Sequence, residues 1–164
     1  MIATDGEPRR SPYGPFTMAD TIQPYRGDYL RPSFRNATVA DVMTPGLITC
    51  PPETSLQAVA ELMATHGVHA VAVGGIAASH LVWGIIDSMD LVRALRDPDA
   101  DGFAEAISRQ PVHAIEPDAL LSEAARLMDE RHAAHLVVVD RERPVGVIST
   151  LDIAGAAAWG RKYT

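Results

Sequence analysis

The chain has 164 residues, 47 % of them apolar, and a formal net charge of −7 at pH 7. That length suffices for one well-filled core or two small ones packed together, and the acidity excludes an extended phosphate backbone, hence nucleic acid, as an expected partner. The longest apolar stretch, Val68 to Ile86, is interrupted by His69, Gly74-Gly75 and Ser79-His80, which excludes a membrane-spanning helix there.

Residues 1–35 hold five of the twelve prolines and the aromatics Tyr13, Phe16, Tyr25, Tyr29 and Phe34. Proline at this density precludes a long helix, while so many rings are unusual in a linker. The expectation is an irregular arm, 1–35, whose aromatics dock on the body or on a second subunit. Regular patterning begins at Thr38, with a short helix over Val39 to Met43 and a short strand over Leu47 to Thr49. Cys50 is the lone cysteine, and the N-terminal residues contain no apolar h-region of a secretory signal. Both features fit a reducing, cytoplasmic location, with Cys50 a small core filler.

Thr54-Ser-Leu-Gln57 has capping-box form, with Thr54 as the cap, and predicts a helix running to His66 and stopping at Gly67. Strands over Ala70 to Val73 and Leu81 to Ile86 follow, joined by a turn containing Gly74-Gly75. A helix from Ser88 to Leu95 is broken by Asp97-Pro98-Asp99. The order then repeats: helix over Phe103 to Ile107, strand over Val112 to Ile115, helix over Leu120 to Arg131, strands over His135 to Val139 and Val145 to Ile148, and a helix to Trp159.

The repetition is residue by residue. Pro52 aligns with Pro117, and the stripe Leu56, Val59, Ala60, Met63 aligns with Leu121, Ala124, Ala125, Met128, marking one buried helix face in each copy. Gly84-Ile-Ile-Asp-Ser-Met-Asp90 aligns with Gly146-Val-Ile-Ser-Thr-Leu-Asp152. The expected organisation is α+β: two β-α-β-β-α repeats, 36–99 and 100–164, packed through their sheets about a pseudo-two-fold axis, because neither small sheet can bury its own apolar face.

These elements, with Asp41-Val-Met-Thr-Pro45, His135-Leu-Val-Val-Val-Asp140 and Gly146 to Asp152 in order and in duplicate, resemble a tandem pair of cystathionine β-synthase (CBS) domains, a Bateman module. The likeness spans Thr38 to Trp159. It implies a non-catalytic regulatory module that binds adenosine-containing ligands between its repeats, dimerises, and acts on some other protein. AMP, ADP, ATP and S-adenosylmethionine are the ligand classes it implies.

The resemblance also implies sites. Where the last strand of a repeat meets its helix, the family carries a hydroxyl residue and, three positions on, an aspartate that accepts from ribose. Ser149, Thr150 and Asp152 fit, although Ser149 and Asp152 equally make a favourable helix start. The wall of this cleft would come from Thr44, Pro45, Leu47 and Ile48, with His69 nearby. The other cleft has Asp87 and Asp90, walled by Gln110, Pro111, Val112 and His113, with His135 nearby. There Asp87 puts a carboxylate where phosphate would sit, so the Asp152 cleft is the expected nucleotide site. Arg93 is a further candidate for phosphate, or a complement to its helix dipole. The spacings His66/His69 and His132/His135 lack a third ligand, so no metal site is expected. No nucleophile–base pair is discernible. The competing reading is a protein-interaction scaffold whose clefts no longer bind ligand.

Overall fold

The computed structural model describes residues 34–74, 82–96 and 102–159, all within one compact unit, Arg31–Thr164. The arm other than Phe34 and Arg35, the turn expected beyond Gly74, the break expected at Asp97–Asp99 and the residues after Trp159 lie outside the described residues. After a 3-10 turn, Val39–Asp41, come β1 (Thr44–Pro45), β2 (Thr49–Cys50), α1 (Leu56–His66), β3 (Ala70–Gly74), β4 (Val82–Asp87) and α2 (Ser88–Ala94). The second copy supplies α3 (Ala104–Ile107), β5 (Ala114–Ile115), α4 (Leu121–Arg131), β6 (His135–Asp140), β7 (Arg143–Ser149) and α5 (Thr150–Trp159). The architecture is the α+β duplication expected from the pattern.

Helix α1 begins one residue later than its capping box suggests. Ser55, not Thr54, is the cap, accepting from Ala58 N–H at 3.2 Å, and Gln57 donates instead to Glu61. At the other end Gly67 takes the left-handed conformation, φ 62°, as a helix stop does. The six stripe residues Leu56, Val59, Met63, Leu121, Ala124 and Met128 are all buried. They form the helix side of two separate cores, one per sheet.

The sheets run β2-β3-β4 and β1-β7-β6-β5. Strand β1, from the first copy, thus belongs to the second copy's sheet, pairing Thr44 with Val147 and Pro45 with Gly146. The reciprocal crossing is a bridge between Arg109 and Ile85. The cores exchange segments in the same way. Val39 N–H donates to Ala119 O (2.9 Å) and Ala40 N–H to Pro117 O (2.8 Å), while Ala104 N–H donates to Thr54 O (2.8 Å) and Glu105 N–H to Pro52 O (3.0 Å). Each copy therefore lends its first segment to the other copy's core, a two-fold exchange. Phe34 packs on the second core as well, so this ring of the arm docks on the body.

Alternation along β3 and β6 sends Val71, Val73, Leu136 and Val138 into these cores. Ala72 and Val137 face the opposite way and are also buried, so the second face of each sheet is covered too.

Candidate functional site

Two glycines mark where the crossing segments meet the last strands. A Cβ on Gly146 would stand 2.5 Å from Thr44 O and 3.2 Å from Met43 Sδ, and one on Gly84 would stand 2.8 Å from both Cβ and Oγ of Ser108. Only glycine lets the crossing backbone come this close, and the crossing carries residues of one copy to the cap of the other copy's helix.

At the second cap, Asp152 Oδ2 accepts from Ser149 N–H at 2.8 Å and from Ser149 Oγ at 2.7 Å, and Asp152 N–H donates to Ser149 Oγ at 3.3 Å. Thr150 N–H is taken by Ala134 O at 2.9 Å. Ser149 and Asp152 are thus a capping pair, and Thr150 N–H and Asp152 N–H both have partners inside the protein. Asp152 Oδ1 has no donor among the described residues. The wall expected for this cleft is spread out. Thr44 and Pro45 are exposed beside β7, Leu47 and Ile48 are half-buried, and Ile48 also packs on the first core. A cavity of about 440 Å³ that Asp152 lines is bounded by the Asp41-Val42-Met43 turn, just ahead of Thr44, and by Leu151, Gly155 and Ala156.

The first cap has the same frame with a different occupant. Asp90 N–H donates to Asp87 Oδ1 at 2.9 Å and Asp87 N–H to Asp90 Oδ2 at 3.1 Å. Over these two buried acids lies Arg109. Its Nε is 2.8 and 2.9 Å from the two Asp90 oxygens, and its Nη2 is 2.8 Å from Asp90 Oδ1 and 3.3 Å from Asp87 Oδ2. Arg93 Nη1 adds a contact to Asp90 Oδ1 at 3.3 Å. The hydrogen bond to Asp90 raises the pKa of Arg109 still further, so the charge is permanent. Asp87 therefore does not stand alone against an incoming anion, as the sequence suggests; Arg109 sets a positive charge beside it, shared with Asp90. The repeat alignment sets Arg109 opposite Thr44, on the crossing segment beside Asp90, which is the signal that points to it.

A cavity of about 180 Å³ opens beside this cluster, lined by Asp87, Arg109, Gln110, Pro111, His113 and His135 among others. The structure thus gathers most of the residues expected for the first cleft, with Arg131 and His132 added; Val112 is half-buried beside them. His135 lies between the two caps. Burial holds its pKa below the ordinary histidine value, His69 and Arg109 push the same way, and Asp87 and Asp152 oppose them. His69 O accepts from Ser88 N–H at 3.0 Å, which fixes its backbone at the start of α2. Among the described residues no group of three or more His, Cys, Asp or Glu is disposed to hold a metal ion.

The CBS domain family profile matches residues 39–97 and 104–158, which is more than half of the chain and both copies of the repeat. The chain belongs to the CBS domain family. The CBS domain-containing protein YhcV of Bacillus subtilis is 27 % identical over 121 residues, covering 72 % of this chain and 84 % of that protein. Among solved structures, the CBS domain pair of protein MJ0100, in complex with 5′-methylthioadenosine and S-adenosyl-L-methionine, superposes with a TM-score of 0.65 at 23 % identity, covering 73 % of this chain and 94 % of that one. CBSX2 in complex with AMP superposes with a TM-score of 0.61 at 25 % identity, covering 74 % and 96 %. In this CBS pair the two clefts share a frame and differ in what occupies their carboxylates.

Proposed function

We propose that this CBS pair is a non-catalytic regulatory module that takes an adenosine-containing ligand, of the AMP/ADP/ATP class or S-adenosylmethionine, in the cleft near Asp152, and that it works as a homodimer on another protein. The observation that carries this reading is the state of Asp152. Its Oδ2 is held by Ser149 while Oδ1 meets no donor among the described residues, and a ribose diol is a donor of suitable chemistry. Ser149, Thr150, Thr44, Pro45, Leu47, Ile48 and His69 are its proposed companions. The AMP complex of CBSX2 supports the ligand class.

A second reading has its own support. Both caps satisfy most of their polar atoms internally, as helix starts do without any ligand, and α2 presents Met89 and Val92 to solvent. On that reading the pair is a protein-interaction module. Thermal shift against AMP, ADP, ATP, S-adenosylmethionine and NAD separates the two, since a ligand that binds only the folded state raises its stability. At a hundred times Kd the gain is about 2.7 kcal/mol, which for a chain of this size is a shift of roughly 5–10 °C. No shift with any of the five compounds leaves the interaction module as the function.

A further inference from the structure

Asp90 and Asp152 occupy equivalent positions and are not equivalently engaged. A carboxylate offers about four lone-pair positions. Those of Asp90 are filled by Asp87 N–H, Arg93 Nη1 and the Nε and Nη2 of Arg109. Those of Asp152 receive only the backbone and hydroxyl of Ser149 among the described residues. The difference traces mainly to one position on the crossing segment. Arg109 exchanges two hydrogen bonds with Ile85, N–H to O at 2.8 Å and O from N–H at 3.3 Å, so its Cα is fixed beside the first cap. Thr44, paired with Val147, stands at the same place in the second cleft. A guanidinium reaches across to the carboxylates, and a threonine hydroxyl does not.

We propose that Arg109 is a resident ligand of the first cleft: its forked grip on Asp90 and Asp87 occupies the acceptors that a ribose diol needs, so the chain takes one adenosine ligand, at Asp152, in place of two. The inference rests on the adenosine reading above. The competition is unequal. The guanidinium makes charge-assisted bonds in a geometry matched to the carboxylate, and as part of the same chain it loses no translational freedom. A diol arriving from solution brings neutral donors, loses that freedom, and strips the counter-charge from two buried acids. Arg109 is in this sense the specificity-determining residue that makes one cleft of a duplicated pair unlike the other.

The test is Arg109→Thr, which gives the first cleft the residue that the second already has. Calorimetric titration with adenosine, which carries no phosphate to be repelled by Asp87, is expected to count one site per chain in the wild type and two in Arg109→Thr. Arg109→Thr/Asp152→Ala is expected to retain one. Two sites in the wild type, or one in folded Arg109→Thr, overturns the exclusion. A second measurement needs no ligand: a double-mutant cycle of Arg109→Thr with Asp90→Asn on the unfolding equilibrium, where a coupling of tenfold or more is expected. Effects that multiply to within twofold overturn the grip itself. Should adenosine bind none of the proteins, the adenosine reading and the exclusion both fail, while the cycle still decides the Arg109–Asp90 contact. If Arg109→Thr is too unstable to titrate, Arg109→Gln, uncharged and too short to make the forked contact, takes its place in both experiments.

Discussion

Val39 and Ala104 stand at the same place in the two copies, and each is fully buried in the core of the other copy. The hydrogen bonds beside them repeat the exchange, Val39 N–H to Ala119 O and Ala104 N–H to Thr54 O. Neither core is complete without a segment from the other half of the chain. The two repeats are therefore expected to unfold in one transition, with equal calorimetric and van't Hoff enthalpies. Val39→Ala, although it touches only the second core, is expected to lower that single transition as a whole, by an amount on the order of 1–3 kcal/mol. Two resolved transitions, one of them unmoved by Val39→Ala, would contradict the interlock.

The crossing points offer a sharper test of the backbone. At Gly146 an added Cβ meets a carbonyl oxygen, Thr44 O at 2.5 Å, and the strand pairing of β1 with β7 holds that oxygen in place. At Gly84 the obstacle is the Ser108 side chain at 2.8 Å, on a segment tied down by a single bridge. Overpacking costs typically about 1–3 kcal/mol. Gly146→Ala is expected at or above the top of that range and Gly84→Ala lower within it, as read from denaturant midpoints at constant slope. Equal costs would show that the two crossings are equally stiff.

Much of this fold is legible from periodicity, because a buried helix face leaves a stripe whatever the loops do. The stripes of α1 and α4, the stop at Gly67 and the doubled strand–helix order are all of this kind. The start of α1 is a near miss with a physical cause. Thr54 and Ser55 can both cap, and what settles the choice is tertiary: Leu56 must enter the first core, and its N–H goes to Gly102 O of the other copy. The exchange of first segments leaves no local mark, since β1 and the Arg109 bridge are too short to show a pattern. Arg109 escapes for another reason: the wall expected for the first cleft, although taken from the other repeat, starts one residue later at Gln110, and no sequence pattern shows that this arginine turns back onto the carboxylates. The side chain that covers Asp90 is carried by the other repeat.

His135 yields a pH dependence. Its folded-state pKa lies below the ordinary value of 6.5, first through burial, with His69 and Arg109 adding to the effect and Asp87 and Asp152 opposing it. Well above pH 6.5 the imidazole is neutral in both the folded and the unfolded chain and contributes no slope. As pH falls below 6.5 the unfolded chain takes up the proton first, so stability is lost until the folded-state pKa is passed. The expectation is that His135→Gln flattens this part of the curve. Melting temperatures of both proteins between about pH 5 and 8 check it. Parallel curves would mean that His135 titrates as it does in the unfolded chain.

The proposed association is tested at what the helices leave uncovered. Met89, Val92 and Leu95 are each more than half exposed, with Met89 and Val92 one turn apart on α2, and Leu151, 71 % exposed, takes the place of Met89 on α5. The two-fold exchange thus repeats an apolar surface at both helix starts, which a second copy can cover with the same surface. Val92→Glu with Leu151→Glu is expected to shift a micromolar dimer to monomer in sedimentation while leaving the melting temperature of dilute protein nearly unchanged. Wild-type protein that sediments as a monomer in that concentration range, with and without AMP, rules the dimer out.

The cleft assignment rests on separating two roles of one carboxylate. Asp152 caps α5 through Oδ2 and, on the proposed function, accepts from a ribose through Oδ1. Ser149→Ala removes the hydroxyl part of the cap, keeps the backbone N–H bond to Oδ2 and leaves the acceptor, at a cost of about 1 kcal/mol in stability. Asp152→Ala removes both. A lost charge-assisted hydrogen bond is worth roughly 1.5–3 kcal/mol, about ten- to a hundredfold in affinity. Titration with AMP below the melting range of every variant is therefore expected to show that loss for Asp152→Ala, a much smaller one for Ser149→Ala, and almost none for Asp90→Ala, whose carboxylate Arg109 already holds. Equal losses from Asp90→Ala and Asp152→Ala would place the ligand in both clefts. Equal losses from Ser149→Ala and Asp152→Ala would mean that AMP senses the integrity of the helix start and not the free oxygen of Asp152.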